Sequence, residues 1–123
     1  MTLRILFASP YCLLDTTNGA ALATRELLEQ LIRRGFSCEA VTASVFDTTR
    51  QILLYEVITR HNAIIVTQRK LTDKATSVEV LFNGLTHTIL KTARSNRMHL
   101  TPEEESALLS IIEQKIYDFQ PIG

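Results

Sequence analysis

The chain has 123 residues, the length of one domain and enough to bury a core of ordinary size. Thirteen Lys and Arg balance thirteen Asp and Glu, which excludes a generic polyanion binder, because non-specific nucleic-acid affinity comes from excess positive charge. With 46% hydrophobic and 21% charged residues the chain is globular rather than disordered, and no apolar run approaches the roughly 18 residues that span a bilayer.

The opening Met1–Ala8 is too short in its apolar stretch for a secretory leader, and polar Asp15–Gly19 follows soon after. Leu3–Ala8 suits a buried parallel strand, bounded by Ser9-Pro10. A loop over 9–19 leads into a helix over Ala20–Arg34, where Ala20, Ala23, Thr24, Leu27, Leu28 and Leu31 recur at helical spacing and predict the inward face. Gly35 supplies a left-handed cap on which Phe36 folds back. Ser37–Ala43 reads as the second strand, so the first third of the chain predicts one right-handed βαβ unit. Thr48–Arg60 predicts a helix weakened by Val57, Ile58 and Thr59, and Ala63–Thr67 a third strand.

The clearest local signal is a hairpin over about residues 76–91. Asn83-Gly84 supplies the positive φ angles of a type I′ turn. Such a turn places Phe82 opposite Leu85, Val80 opposite His87 and Val78 opposite Ile89, all on one face. Thr101-Pro102-Glu103-Glu104 then opens the last helix with a capping box and a proline at its first position. Leu108, Ile111, Ile112, Ile116 and Phe119 predict its inner face. Alternation of helix and strand predicts another strand after this helix, so the chain reads as the front part of something longer.

Chemistry is concentrated in the first strand-to-helix connection. Gly19, Ala20 and Ala21 let a ligand approach the backbone, and free N–H groups at a helix start suit a phosphate. The alternative is that Asn18-Gly19 is only a cap and a turn. Neither Gly-x-Gly-x-x-Gly nor Gly-x-x-x-x-Gly-Lys is present.

Arg4–Tyr11, Thr17–Ala21, Thr24–Leu31, Arg34-Gly35-Phe36 and Val41-Thr42-Ala43, in that order, resemble the opening of glycosyltransferase family 4. The resemblance is good over residues 3–47 and returns at Tyr117–Pro121. It implies a Rossmann-like, mostly parallel sheet flanked by helices, with the hairpin as an insertion. The chain would be the acceptor-side N-terminal domain of a two-domain, retaining GT-B enzyme. It implies a nucleotide-sugar donor and an acceptor as partners. Gly19 would lie against the donor diphosphate, with Asn18 and Ala20 beside it and Thr16 and Thr17 near the cleft. The stretch Asn18-Gly19-Ala20 departs from the family's usual Gly-Gly-Ala. The family's basic pair and glutamate pair belong to a C-terminal donor-binding domain outside this sequence. Catalytic residues are therefore not assigned, and the chain alone is expected to be inactive.

Two other readings stay open. One is a stand-alone flavodoxin-like module in which Asp15–Gly19 cradles a phosphate. The other is a non-catalytic interaction domain that binds a partner, or a second copy, through an unpaired sheet edge. Among single residues, His87 reads as a hydrogen-bonded core histidine, His61 as solvated, and Asp15 as a turn residue ahead of a general base. His99 sits near Arg94 and Arg97. Cys12 and Cys38 read as reduced thiols of a cytoplasmic protein. No metal, cofactor, nucleic acid or transmembrane segment is expected. The scattered cations of the second half, Arg60 to Arg97, read as solvated surface.

Overall fold

A computed structural model describes residues 3–48, 51–73, 75–92 and 100–120. The elements are β1 (Arg4–Tyr11), α1 (Gly19–Arg33), β2 (Ser37–Val45), α2 (Leu54–Arg60), β3 (Ile64–Thr72), β4 (Ala75–Phe82), β5 (Leu85–Lys91) and α3 (Pro102–Phe119). The fold is α/β: one mixed sheet in the order β1-β2-β5-β4-β3, flanked by helices.

The βαβ unit forms as its signals require. β1 runs parallel to β2 from Arg4↔Ser37 to Ser9↔Thr42. Asn18 caps α1, its Oδ1 accepting from Ala21 N at 3.2 Å. Gly35, at φ 99°, ends the helix, and Phe36 N donates back to Leu31 O at 3.0 Å. The hairpin register is also as expected, with Phe82↔Leu85, Val80↔His87 and Val78↔Ile89 around Asn83 (φ 51°) and Gly84 (φ 81°).

The hairpin strands lie inside the sheet. β5 is the central strand, antiparallel to β4 on one side and parallel to β2 on the other, from Glu39↔Thr86 to Ala43↔Leu90. Two of the four pairings are parallel and two antiparallel, so the sheet is mixed rather than mostly parallel. β3 also runs past Thr67 to Thr72, because β4 offers it an antiparallel partner that its polar second half did not advertise. The helix expected from Thr48 starts only at Leu54. Its β-branched residues are tolerated because Leu54, Val57 and Ile58 bury against Phe46, Val78, Val80 and Ile89.

Two apolar layers result. Ile5, Phe7, Cys38, Ala40 and Leu85 meet α1, with the α2 cluster continuing that layer over β4. Val41, Ala43, Val45 and Leu90 meet Leu108 and Ile111 of α3 on the other face. The capping box is formed in full: Glu104 N donates to Thr101 Oγ1 at 3.1 Å and Thr101 N to Glu104 Oε1 at 2.9 Å.

The predicted face of α1 is rotated, and that of α3 holds except at Ile116. In α1, Ala21, Arg25, Leu28 and Glu29 are buried, whereas Ala20, Ala23 and Leu27 are exposed. The rotation follows from two charges that find partners inside. The Arg25 guanidinium reaches Leu13 O at 3.4 Å and lies 5.2 Å from the Phe82 ring centre. Glu29 Oε2 accepts from Asn83 Nδ2 at 3.2 Å and sits 3.6 Å from Arg25 Nε. In α3, Ile116 is exposed and Ile112 only half-buried, because the helix axis lies over Leu108 and Ile111.

Candidate functional site

The segment Cys12–Asn18 joins β1 to α1 at the carboxyl end of the parallel strands. Ligands of open α/β sheets gather at this end. Its first half is folded inward. Cys12 and Leu14 pack with Phe46 and Leu54, Leu13 packs beneath α1, and Cys12 N prolongs the β1–β2 ladder to Val45 O at 3.0 Å. Burial pushes the Cys12 thiol up to about 12, with the Asp15 charge adding a little, so it stays protonated and unreactive. Cys38 is also raised by burial.

Asp15 organises the second half. It is 3% exposed. Its Oδ1 accepts from Thr17 N at 2.9 Å and its Oδ2 from Asp47 N at 2.6 Å. Both oxygens are engaged in tying this loop to the end of β2, which is the turn role rather than that of a free base. Thr17 Oγ1 lies 2.6 Å from Asp15 Oδ1 and 3.0 Å from Asp47 O, so its single proton is used within the loop. Replacing Asp15 by Ala leaves those amides without their charged acceptor. The expected cost is about 2 kcal/mol of unfolding free energy, read by urea denaturation; Asp15→Asn should recover part of it.

What remains open is the helix start. Thr16, Gly19 and Ala20 are exposed and Asn18 is half-buried, forming one rim with Thr17. Asn18 Oδ1 already holds Ala21 N, and Leu22 N bonds Asn18 O at 3.0 Å. The amides of Gly19 and Ala20 have no carbonyl one turn behind them and point out of the helix end. A Cβ built on Gly19 meets nothing within 4 Å, so packing does not require glycine there. The rim thus brings together all five residues singled out in the sequence, but it divides them. Gly19 and Ala20 present backbone donors, Asn18 and Thr17 are engaged locally, and Thr16 stands at the margin.

The histidines take other roles. His87 is fully buried on the α1 side of β5, and neither ring nitrogen has a hydrogen-bond partner among the described residues, contrary to the expectation of a satisfied core histidine. Burial, followed by the nearby Arg25 guanidinium and then the His61 ring, lowers it to about 4, so it is neutral at pH 7. His61 is half-buried rather than solvated. Its Nδ1 donates to Val57 O at 2.9 Å and its ring stands edge-on to Phe82 at 5.4 Å. His99, Arg94 and Arg97 lie outside the described residues. No cluster of three or more metal-ligating side chains occurs among the described residues, and no helix there is long and apolar enough to cross a membrane.

The sequence reading missed the buried Arg25–Glu29–His87 group. Its only signal was an i, i+4 charge pair, which is ordinary on a solvated helix. A groove of about 1010 Å³ also opens at the start of α3, between Thr72, Lys91 and Thr101, and another of about 460 Å³ runs between α3 and β3–β4. Neither includes the α1 rim. No protein-family model, curated protein or solved structure matches the chain.

Proposed function

We propose that this chain is the N-terminal part of a glycosyltransferase that moves a sugar from a nucleotide-sugar donor to an acceptor. In this reading the sheet is the Rossmann-like acceptor-side half of the enzyme, and the hairpin is its elaboration. The rim at Asn18–Ala20 meets the donor diphosphate. The observation that supports it is the open start of α1 at the carboxyl end of β1. There two first-turn amides with no bond among the described residues, a positive helix end and a glycine without a packing role coincide. The layout of the helices supports the same end of the sheet. α1 and α3 both begin at the carboxyl ends of parallel strands, on opposite faces of the sheet. The ordered resemblance over residues 3–47 supplies the ligand class.

By that resemblance the groups gripping the sugar and ribose belong to a second domain. The diphosphate contact of this chain alone is therefore weak, on the order of millimolar, and best read by NMR. Titrating UDP into the 123-residue chain should shift the amides of Gly19 and Ala20 first. Gly19→Val should weaken that binding at least about tenfold. Its thermal midpoint should stay close to the parent's, since the added Cβ meets no neighbour. Equal affinity in the two proteins would remove Gly19 from the site.

A further inference from the structure

The sheet changes character halfway across its α3 face. The pairing register sets Ala43, Leu90, Ser77 and Arg69 in one row, running from β2 through β5 and β4 to β3. The next row is Val41, Thr88, Glu79 and Thr67. The β2 end of both rows is apolar and joins the core beneath Leu108 and Ile111. From there the rows turn polar, with three hydroxyls, a carboxylate and a guanidinium toward β3. α3 packs over β1, β2 and β5, so it covers the apolar half and borders the polar half.

A groove of about 460 Å³ lies between that polar half and α3. Its size suits a small molecule. Ser110, Gln114 and Asp118, each one turn after the last, form its helical wall. On its floor Ser77 is 7% and Thr88 6% exposed. Thr88 Oγ1 has no hydrogen-bond partner among the described residues. A buried hydroxyl without a partner costs stability. Valine would fill the same volume of a strand at no such cost. The fold therefore gives this oxygen no role, whereas a ligand seated in the groove does.

The charges around the groove are only partly matched. Lys115 Nζ sits 3.0 Å from Glu39 Oε1 and 3.9 Å from Glu79 Oε2. Gln114 Nε2 donates to Asp118 Oδ1 and Oδ2, each at 3.0 Å. Arg69 makes no hydrogen bond or ion pair among the described residues, although Glu79 is its diagonal neighbour across the β3–β4 pair. Opposite charges so placed ordinarily reach one another. Here Glu79 turns to Lys115 instead, and the guanidinium stays open beside the groove. Arg69 and the hydroxyls of Ser77 and Thr88 are donors that suit a carboxylate. Glu79 and Asp118 are acceptors that suit an ammonium. The lining holds two cations and two anions, so an ion of one sign meets as much repulsion as attraction. A molecule carrying both signs is attracted at both ends.

We propose that the groove between α3 and β3–β4 binds a small zwitterion, a free α-amino acid. Its carboxylate lies toward Arg69, Ser77 and Thr88, and its ammonium toward Glu79 and Asp118. The site is on the α3 face of the sheet and shares no residue with the α1 rim. The inference does not depend on what binds at Gly19.

The test titrates the twenty free L-amino acids, one at a time, into the 123-residue chain and follows its amides by NMR. At least one should shift the amides of Arg69, Ser77 and Thr88, with a Kd on the order of 1 mM, and leave Gly19 and Ala20 unmoved. Acetate and methylammonium, which each carry one of the two charges, should bind at least about tenfold more weakly. Thr88→Val should weaken the amino acid at least about tenfold and leave Tm equal to the parent's or higher. Arg69→Gln, on the exposed edge strand, should weaken it as much, and it tests the site if Thr88→Val does not fold. Shifts with none of the amino acids would overturn the proposal. So would acetate binding as tightly as the amino acid, or full affinity in either folded variant. UDP binding at Gly19 is measured independently, so either reading can fail alone.

Discussion

Lowering the pH from 7 to 4 should remove about 3 kcal/mol of stability through one side chain, His87. The imidazole sits at 0% exposure between Ala40 and Val80 on neighbouring strands. Burial, then the nearby Arg25 guanidinium and the His61 ring, bring its pKa from 6.5 in the unfolded chain to about 4. A lowered histidine means that the unfolded state binds the proton first. Its full contribution to stability is therefore present above pH 6.5 and is lost as the pH falls toward 4. Replacing His87 by Leu, close in volume, removes both unpartnered nitrogens. The variant should be at least as stable as the parent at pH 7 and should lose the histidine's share of the acid sensitivity. Urea midpoints measured at half-unit steps between pH 7 and 4 decide it. Parallel curves for parent and variant would show that His87 does not set the slope.

The second large effect belongs to the ion pair beneath α1. The Arg25 and Glu29 side chains retain only 10% and 7% of their exposure. Arg25→Met leaves a buried carboxylate with Asn83 as its remaining partner, and should cost about 3 kcal/mol. The cost comes from the stranded charge more than from the attraction lost. Adding Glu29→Leu should therefore return most of the stability, to within about 1 kcal/mol of the parent. Denaturation of the two single variants and the double variant gives the coupling directly. A double variant as poor as Arg25→Met would mean that Arg25 acts through its contacts with Leu13 O and the Phe82 ring instead.

The legible parts of the fold were those written in local chemistry. Asn83-Gly84 fixed a turn, and a two-residue turn fixes every pair of the hairpin after it. Thr101, Pro102 and Glu104 marked a helix start because each satisfies a specific backbone need. The position of β5 at the centre of the sheet was not legible. Parallel pairing with β2 has no turn to specify it, and Thr86 and Thr88 make β5 look like a strand with one wet face. Charge misled the reading of α1 in the same way. Arg25 and Glu29 look solvated until Leu13 O, Phe82 and Asn83, all distant along the chain, are brought to them. At the rim, the sequence identified which residues are small but not which amides are already engaged. That division depends on Asp15 and Asp47, the latter beyond the far end of β2.

The central position of β5 also sets an order of assembly. β1–α1–β2 is complete within 45 residues of the chain's start, and β3–β4–β5 is a meander of neighbouring strands. Each half can organise through short loop closures, whereas Ala40 must find His87 across the whole middle of the chain. Joining the halves along β2 and β5 carries Arg25 from one and His87 from the other into the same dry layer. A protonated imidazole obstructs that docking. Stopped-flow refolding should therefore slow as the pH drops below 6.5, and His87→Leu should abolish the slowing.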